Sequence, residues 1–501
     1  MRIWRSTDPE PSDSFAAEQV YNALDCCVTR EVLDELLPQL NERTSAVYDF
    51  ERELQAPILE MMLRGIAVDM EARSELIALY QKQLLDLQTI LDEILTEGLG
   101  VGTINPGSWQ QKQHLLYDVL GLPHVRKRGK ITTDRSALEK LSTYFHAEPI
   151  CRCIMACQDV RKKLGFLKTG LDPDNRCRTT FGIAGTDTGR LSSYGSCWFT
   201  GTNMQNIAPE MRKMFIADPG MKLAYIDLEQ AEARLLGGIL WNLFHDGKYL
   251  DFCESGDLHT NVTMMTWQHL GWSEDAAANK TIAKANFYRE FTYRDASKRL
   301  GHASNYHGQP PQISREVRIP VGLVTEFQHN YFREFPAIAR WHDYVRTKLL
   351  RDGWLTSLMG RPRWFFGRRW ENETVNAAIA YDPQSSIADY LNRGLVSVWA
   401  DPLCNKLGCQ ILLQVHDALL IQYPESAEAA VVPRVQSLLE MSIPLFHGRS
   451  LTIPTEALVG WNWGYAYNDK KELVNPNGLV AFGNDKRVRT SSKSFLDREL
   501  R

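Results

Sequence analysis

The stretch Gln410-Ile411-Leu412-Leu413-Gln414-Val415-His416-Asp417-Ala418-Leu419-Leu420-Ile421-Gln422 holds two apolar runs separated by only two residues. That spacing predicts a tight hairpin with an acid at its tip. A second strand signal lies far upstream: Lys222 to Ile226, reading Leu223-Ala224-Tyr225-Ile226, ends at Asp227. An apolar strand that ends in a carboxylate is one way to present a hard-cation ligand. Two such acids on adjacent strands would suit two Mg2+ ions about 3.5–4 Å apart. Taken singly, each Asp reads more readily as the cap of a turn.

A helix supplies a complementary set. Arg294, Lys298, His302 and Tyr306 are spaced four apart, so they fall close together on one helical face. Two cations followed by two rings suit a triphosphate and then a base or sugar. An amphipathic helix with solvated basic residues gives the same spacing. Around it, Lys284 to Arg369 carries 16 Lys or Arg against 7 Asp or Glu. That local field can hold a polyanion although the whole chain has a net charge of −4.

The chain of 501 residues predicts two to four packed units. Its apolar share of 44% and charged share of 24% are those of a globular protein. It has no unbroken apolar run of membrane-spanning length, so no membrane partner is expected. Met1 to Glu10 is polar, without an apolar signal core, and the default reading is cytoplasmic. Ten cysteines form no regular framework. Cys151, Cys153 and Cys157 lack a following Cys or His pair at zinc spacing and are read as helix packing.

Ser14 to Leu40 has helical periodicity, with Pro38 near its end and an apolar stripe of Val20, Leu24, Val28 and Val32. The stripe is expected to pack on the main body or to dock a partner. Ile77, Tyr80, Leu84, Leu87, Leu91 and Ile94 repeat at spacings of 3 and 4, the seam of a long helix against a partner helix. From Glu71 to Thr96 it would reach about 39 Å. Helical patterns fill about 230–350, and 469–501 reads as a polar, loosely docked tail.

Several segments together resemble the DNA polymerase I family (family A). They are Thr188-Gly189-Arg190-Leu191-Ser192-Ser193, Gln205-Asn206-Ile207 and Asp227-Leu228-Glu229-Gln230-Ala231-Glu232-Ala233-Arg234, followed by the Arg294 to Tyr306 helix. Gln384-Ser385-Ser386-Ile387-Ala388-Asp389, Gln414-Val415-His416-Asp417, Ile453-Pro454-Thr455-Glu456-Ala457 and Asn462-Trp463-Gly464 complete the set in the family's order. Arg64-Gly65-Ile66-Ala67-Val68-Asp69 and the Asn105 to Pro123 stretch resemble the family's thumb, and the likeness covers about residues 15–468.

The resemblance implies an α+β, right-hand polymerase with an antiparallel-sheet palm, helical fingers and a helical thumb. Residues 1–44 would be the end of an exonuclease domain, 45–170 the thumb and 171–250 the first part of the palm. The fingers would span 251–375, the second part of the palm 376–468, and the tail 469–501. The implied activity is template-directed addition of dNTPs to a primer 3′ end by two-metal-ion nucleotidyl transfer, with two Mg2+ ions as cofactor.

Position by position, Asp227 and Asp417 resemble the metal-binding pair. Arg294 and Lys298 resemble the triphosphate contacts, with Lys298 also the catalytic proton donor to pyrophosphate. His302, Tyr306, Gln230 and Glu232 fall beside the incoming nucleotide, Glu232 as the steric gate against a 2′-hydroxyl. Arg190, Gln384 and His416 match primer-template contacts near the reacting end. Lys127 and Arg128, in the basic run Arg126-Lys127-Arg128-Gly129-Lys130, lie where duplex phosphates would pass.

Departures are also legible. Ala418 stands where the family usually has Glu, His302 where it has Phe or Tyr, and Asn376 and Ala380 where Arg and Asn are common. The compact, divergent motifs suggest phage origin. Tyr21 and Asp25 resemble the last motif of a 3′–5′ exonuclease, but Asp8 and Glu10 sit among Pro and Ser rather than on a strand. No intrinsic proofreading is therefore expected, and a separately encoded exonuclease or processivity factor is a candidate partner. A single-subunit RNA polymerase is disfavoured by Glu232 and Gln205-Asn206-Ile207. A DNA-binding scaffold without catalysis is disfavoured by Asp227, Asp417, Arg294 and Lys298, though Ala418 leaves it room.

Overall fold

The computed structural model describes residues 14–196, 200–468 and 470–483. Its centre is a five-stranded sheet whose pairings are all antiparallel. The strands are β1 (Met221–Leu228), β2 (Gln410–Val415), β3 (Ala418–Pro424), β4 (Thr455–Gly460) and β5 (Val480–Ala481), in the spatial order β2-β3-β1-β4-β5. The apolar run of β1 is buried as expected of a central strand. The strand does not stop at Asp227 but runs one residue further, because β3 and β4 keep pairing with it on both sides. The predicted hairpin is present. Its two-residue turn places His416 in the left-handed region at φ 54°, as tight hairpin turns demand of their first residue.

The so-called tail is partly a sheet element. β5 pairs with β4, and Asn475 is buried in mutual amide hydrogen bonds with Asn462 at 2.7 and 2.9 Å. The polar composition that suggested loose docking is used for these side-chain bonds. Residues 484–501 lie outside the described part.

Three apolar cores divide the described residues. One lies under the sheet, a second joins helices between Leu236 and Tyr381, and a third joins helices between Leu91 and Cys157. In the third, α2 (Met70–Glu93) is the predicted long helix, capped by Asp69, which accepts from Glu71 and Ala72 N–H at 3.0 and 3.1 Å. Its partner is α3 (Glu148–Leu167), which carries the buried Cys151, Cys153 and Cys157. The Cys153 thiol donates to the Leu87 carbonyl at 3.2 Å, so these cysteines serve helix packing.

Among the described residues three helices bridge the first and second cores, one of them Lys248–Glu254, with Leu250 in the first and Tyr249 and Cys253 in the second. In α4 (Ala231–Phe244), Leu235 belongs to the sheet core, whereas Leu236, Ile239 and Leu240 belong to the helical one. In α6 (Asn372–Ala400), Val375, Ile379 and Tyr381 face the helical core and Ile387, Leu391 and Leu395 the sheet core. The cleft described below opens where these shared helices join the two bodies.

The lead-in forms α1 (Ser14–Leu36), whose stripe is half-buried at Val20 and Leu24 and open at Val28 and Val32, which are 42% and 49% exposed, with Tyr21 and Leu36 exposed beside them. Periodicity reported an amphipathic helix correctly and said nothing about what lies against it. Asp25 is exposed on the same helix, and Asp8 and Glu10 lie outside the described residues. No helix among the described residues is long and apolar enough to cross a membrane.

Candidate active site

Strand register brings the acids together. Asp227 on β1 stands opposite Ala418 on one side and Glu456 of β4 on the other. Asp417 is the turn residue just before Ala418, and its carbonyl accepts from Leu228 N–H at 3.1 Å. Burial, then the nearby charges of Asp417, Glu456 and Glu229, push the Asp227 carboxyl up to about 7, and Lys298 only partly offsets this. Burial also raises Asp417, against the pull of Arg190. Neither acid forms an ion pair with a Lys or Arg among the described residues. The cluster is therefore short of positive charge.

Facing the acids is α5 (Tyr293–Asn305), started by a capping box between Thr292 and Asp295. A cavity of about 860 Å³ lies between them, and Asp227, Asp417, Gln230, Glu232, Lys298, His302 and Tyr306 all line it. Lys298 and His302 are exposed within it. Tyr306 ends the helix rather than lying inside it.

Glu232, in the first turn of α4, is the hub of this wall. It accepts a very short hydrogen bond from the Tyr306 hydroxyl, and its other oxygen lies 3.3 Å from His302 Nδ1. Burial and the Glu232 charge push the Tyr306 phenol far up, so it stays a donor. Gln230, at φ 54°, turns the chain from β1 into α4, and its Oε1 is buried without a partner in the described structure.

Arg294 is not a free cation of the cleft. Its Nε and Nη2 donate to the two oxygens of Asp257 at 2.7 and 2.9 Å, which leaves Nη1 for a ligand. Burial opposes ionisation of Asp257, but the bidentate guanidinium outweighs it and holds the acid at about 2. Asp257 was not foreseen: it lies 37 residues away in a segment with no motif. His259 also lines the cavity unforeseen. Burial, followed by Arg294 and Lys298, lowers it to about 4, so it is neutral near pH 7. Glu456 was quoted in a motif but not recognised as an acid beside Asp227. Only strand register reveals it.

The remaining predicted residues sort by distance from the cavity. Gln384 follows Pro383, which lines it. His416 projects exposed from the hairpin turn. Arg190 is exposed, near enough to Asp417 and Tyr306 to influence both. Its motif is tied down by Gly189, at φ 77°, where a Cβ would come within 2.8 Å of the Arg361 guanidinium. Arg361 in turn is buried against Asp389 at 2.7 Å and Glu51 at 2.5 Å. A polar chain then runs from the Gly189 carbonyl through Asn392 (3.2 Å) to Gln414 (3.0 Å), whose carbonyl accepts from Gln205 (3.4 Å). Motifs over 200 residues apart are thus bonded into one frame. Lys127 and Arg128 do not line the cavity but sit on an exposed two-stranded turn in the third core's region, with Lys127 paired to Asp134 at 3.0 Å.

A family model for DNA polymerase family A matches residues 73–465. The chain belongs to that family. Among relatives, the DNA polymerase I of Deinococcus radiodurans is 29% identical over 445 residues, covering 83% of this chain and 43% of the relative. The thermostable DNA polymerase I of Thermus aquaticus is 26% identical over 442 residues, with 83% and 48% covered. The chain spans about half the length of the curated relatives it matches. The solved POL domain of Pol1 from M. smegmatis, in complex with DNA primer-template and dNTP, superposes with a TM-score of 0.66 at 23% identity. That match covers 90% of this chain and 74% of the other, and it shows the fold. The α+β architecture with an antiparallel sheet and two helical bodies is thus that of a family A polymerase domain.

Proposed function

We propose that this family A chain adds dNTPs to a primer 3′ end under template direction, by two-metal-ion nucleotidyl transfer. The observation that carries the reading is the cleft itself: the carboxylates of Asp227 on its strand and Asp417 in the adjoining turn, lacking a paired cation, face the exposed ammonium of Lys298. Family membership and the primer-template and dNTP bound by the M. smegmatis domain support it.

The donor set fits Mg2+. Asp227 and Asp417 are hard oxygen ligands, their site is short of positive charge, and Mg2+ is usually held by one or two carboxylates plus water and substrate phosphates. When bound, the two ions would lower the pKa of the primer 3′-hydroxyl and neutralise the leaving pyrophosphate. The chain's own side chains do the rest. Lys298 binds the triphosphate and donates a proton to the pyrophosphate oxygen as the bond to the α-phosphorus breaks. Arg294, clamped by Asp257, offers Nη1 to the same triphosphate from a fixed position. Tyr306 borders the templating base. Arg190, Gln384 and His416 hold the primer-template near its reacting end, and Lys127 and Arg128 meet duplex phosphates further out. Extension of a labelled primer to the end of its template, with Mg2+ and four dNTPs, tests the reading. A primer that stays unextended would reject it.

Glu232 is the proposed sugar gate. The Tyr306 hydroxyl fixes its carboxylate at the cavity wall, where a ribose 2′-hydroxyl would collide with it or strip its hydrogen bond. Glu232→Ala is expected to lower the ratio of kcat/KM for dNTP over rNTP by at least about tenfold, even as overall activity falls. Steady-state incorporation of each nucleotide measures this, and an unchanged ratio would remove Glu232 from the role.

A further inference from the structure

Outside the cleft, one surface has a composition the fold does not use. The turn formed by Trp354–Thr356 and Pro362–Trp364 pairs Trp354 directly with Trp364, their rings stacked at 6.2 Å and 27°. Just beyond it Phe366 is 97% exposed and Trp370 72% exposed. Leaving such rings in water forgoes the stabilisation that burial would give. Cations surround them. Residues 348–370 hold six Lys or Arg and one acid, Asp352. Arg361 is spent in the buried cluster, and Arg351, Arg363 and Arg368 pair at the surface with Asp352, Asp187 and Glu371, while Lys348 lies over the Trp354 ring at 5.6 Å and Arg43 reaches the same ring from another helix at 5.2 Å.

We propose that this patch is a stacking platform for unpaired nucleic acid, taking the single-stranded template beyond the cleft. Exposed rings flanked by cations match the chemistry of a strand whose bases are free to stack and whose phosphates need neutralising. Bases in a duplex are already stacked on one another and offer no face. The net positive field favours a polyanion over an ordinary protein surface. The position also fits. Tyr306 borders the cleft, and the next residue, His307, bonds Asn376 in the first turns of α6 at 3.3 Å. Trp370 lies two residues before that helix. Naming the strand as template rests on the polymerase reading, whereas affinity for a free single strand does not.

The test compares the wild-type chain with Phe366→Ala/Trp370→Ala, whose exposed positions lie outside all three cores. Fluorescence anisotropy would follow labelled oligo-dT and two primer-templates, one with a template overhang of about 12 nucleotides and one of about 2. The wild type is expected to bind the long overhang and the oligo-dT at least about tenfold more tightly than the double variant does. Binding and single-nucleotide extension of the short-overhang substrate should be the same for both. Equal affinity of the two proteins for single strands would overturn the platform. So would an effect confined to sedimentation, which would assign the patch to a second copy of the chain. A wild type that binds long overhangs in this manner but extends no primer would sink the polymerase reading and leave the platform standing.

Discussion

Asp417→Ala is expected to bind primer-template nearly as the wild type does and to extend it at least about 10³-fold more slowly, the scale of losing a major electrostatic stabiliser. At 25 °C that is about 4 kcal/mol of transition-state stabilisation. The asymmetry follows from where Asp417 sits. It occupies a two-residue turn and contributes its carbonyl, not its carboxylate, to the β1 backbone, so alanine preserves the hairpin. Its carboxylate raises the pKa of Asp227, so its removal relieves repulsion in the apo chain. The variant's melting temperature should therefore equal or exceed the wild type's, while Mg2+-dependent incorporation collapses. Pre-steady-state incorporation beside a primer-template binding isotherm separates the two effects. Extension within tenfold of the wild type would remove Asp417 from the metal pair.

Lys298→Ala should depress kcat by about 10²–10⁴-fold, the range of general acid catalysis, and do so alike for all four dNTPs. The charge it answers, on the departing pyrophosphate, is largest in the transition state, so KM should change less than kcat. Uniformity across bases is the sharper part of the prediction, because phosphates are common to every nucleotide. Lys298→Arg keeps the charge but makes a poorer acid, and should retain triphosphate binding with a smaller share of kcat. A loss restricted to one base would mean that α5 reads bases.

What could be read in advance follows from the range of the interaction. The hairpin was legible because Val415 and Ala418 are separated only by its turn, and a two-residue gap between apolar runs leaves few alternatives. The α5 face was legible because spacing of four is a local rule. Asp257, by contrast, reaches Arg294 only after two helices pack, and Glu456 reaches Asp227 only through strand register. No local pattern marks either. The Arg361, Asp389 and Glu51 cluster spans more than 300 residues of sequence, and it decides where Arg190 stands. The polar tail is misread because composition reports what a segment can bury or bond and not what it meets.

The most direct test of the account is single-nucleotide incorporation on four primer-templates identical except for the first unpaired template base, each offered the four dNTPs singly with Mg2+. The account predicts that each template selects its complementary dNTP, and that the pattern is kept, at least about 10³-fold slower, in Asp417→Ala. Incorporation that ignores the template base, or no incorporation by the wild-type chain on any of the four, would contradict it.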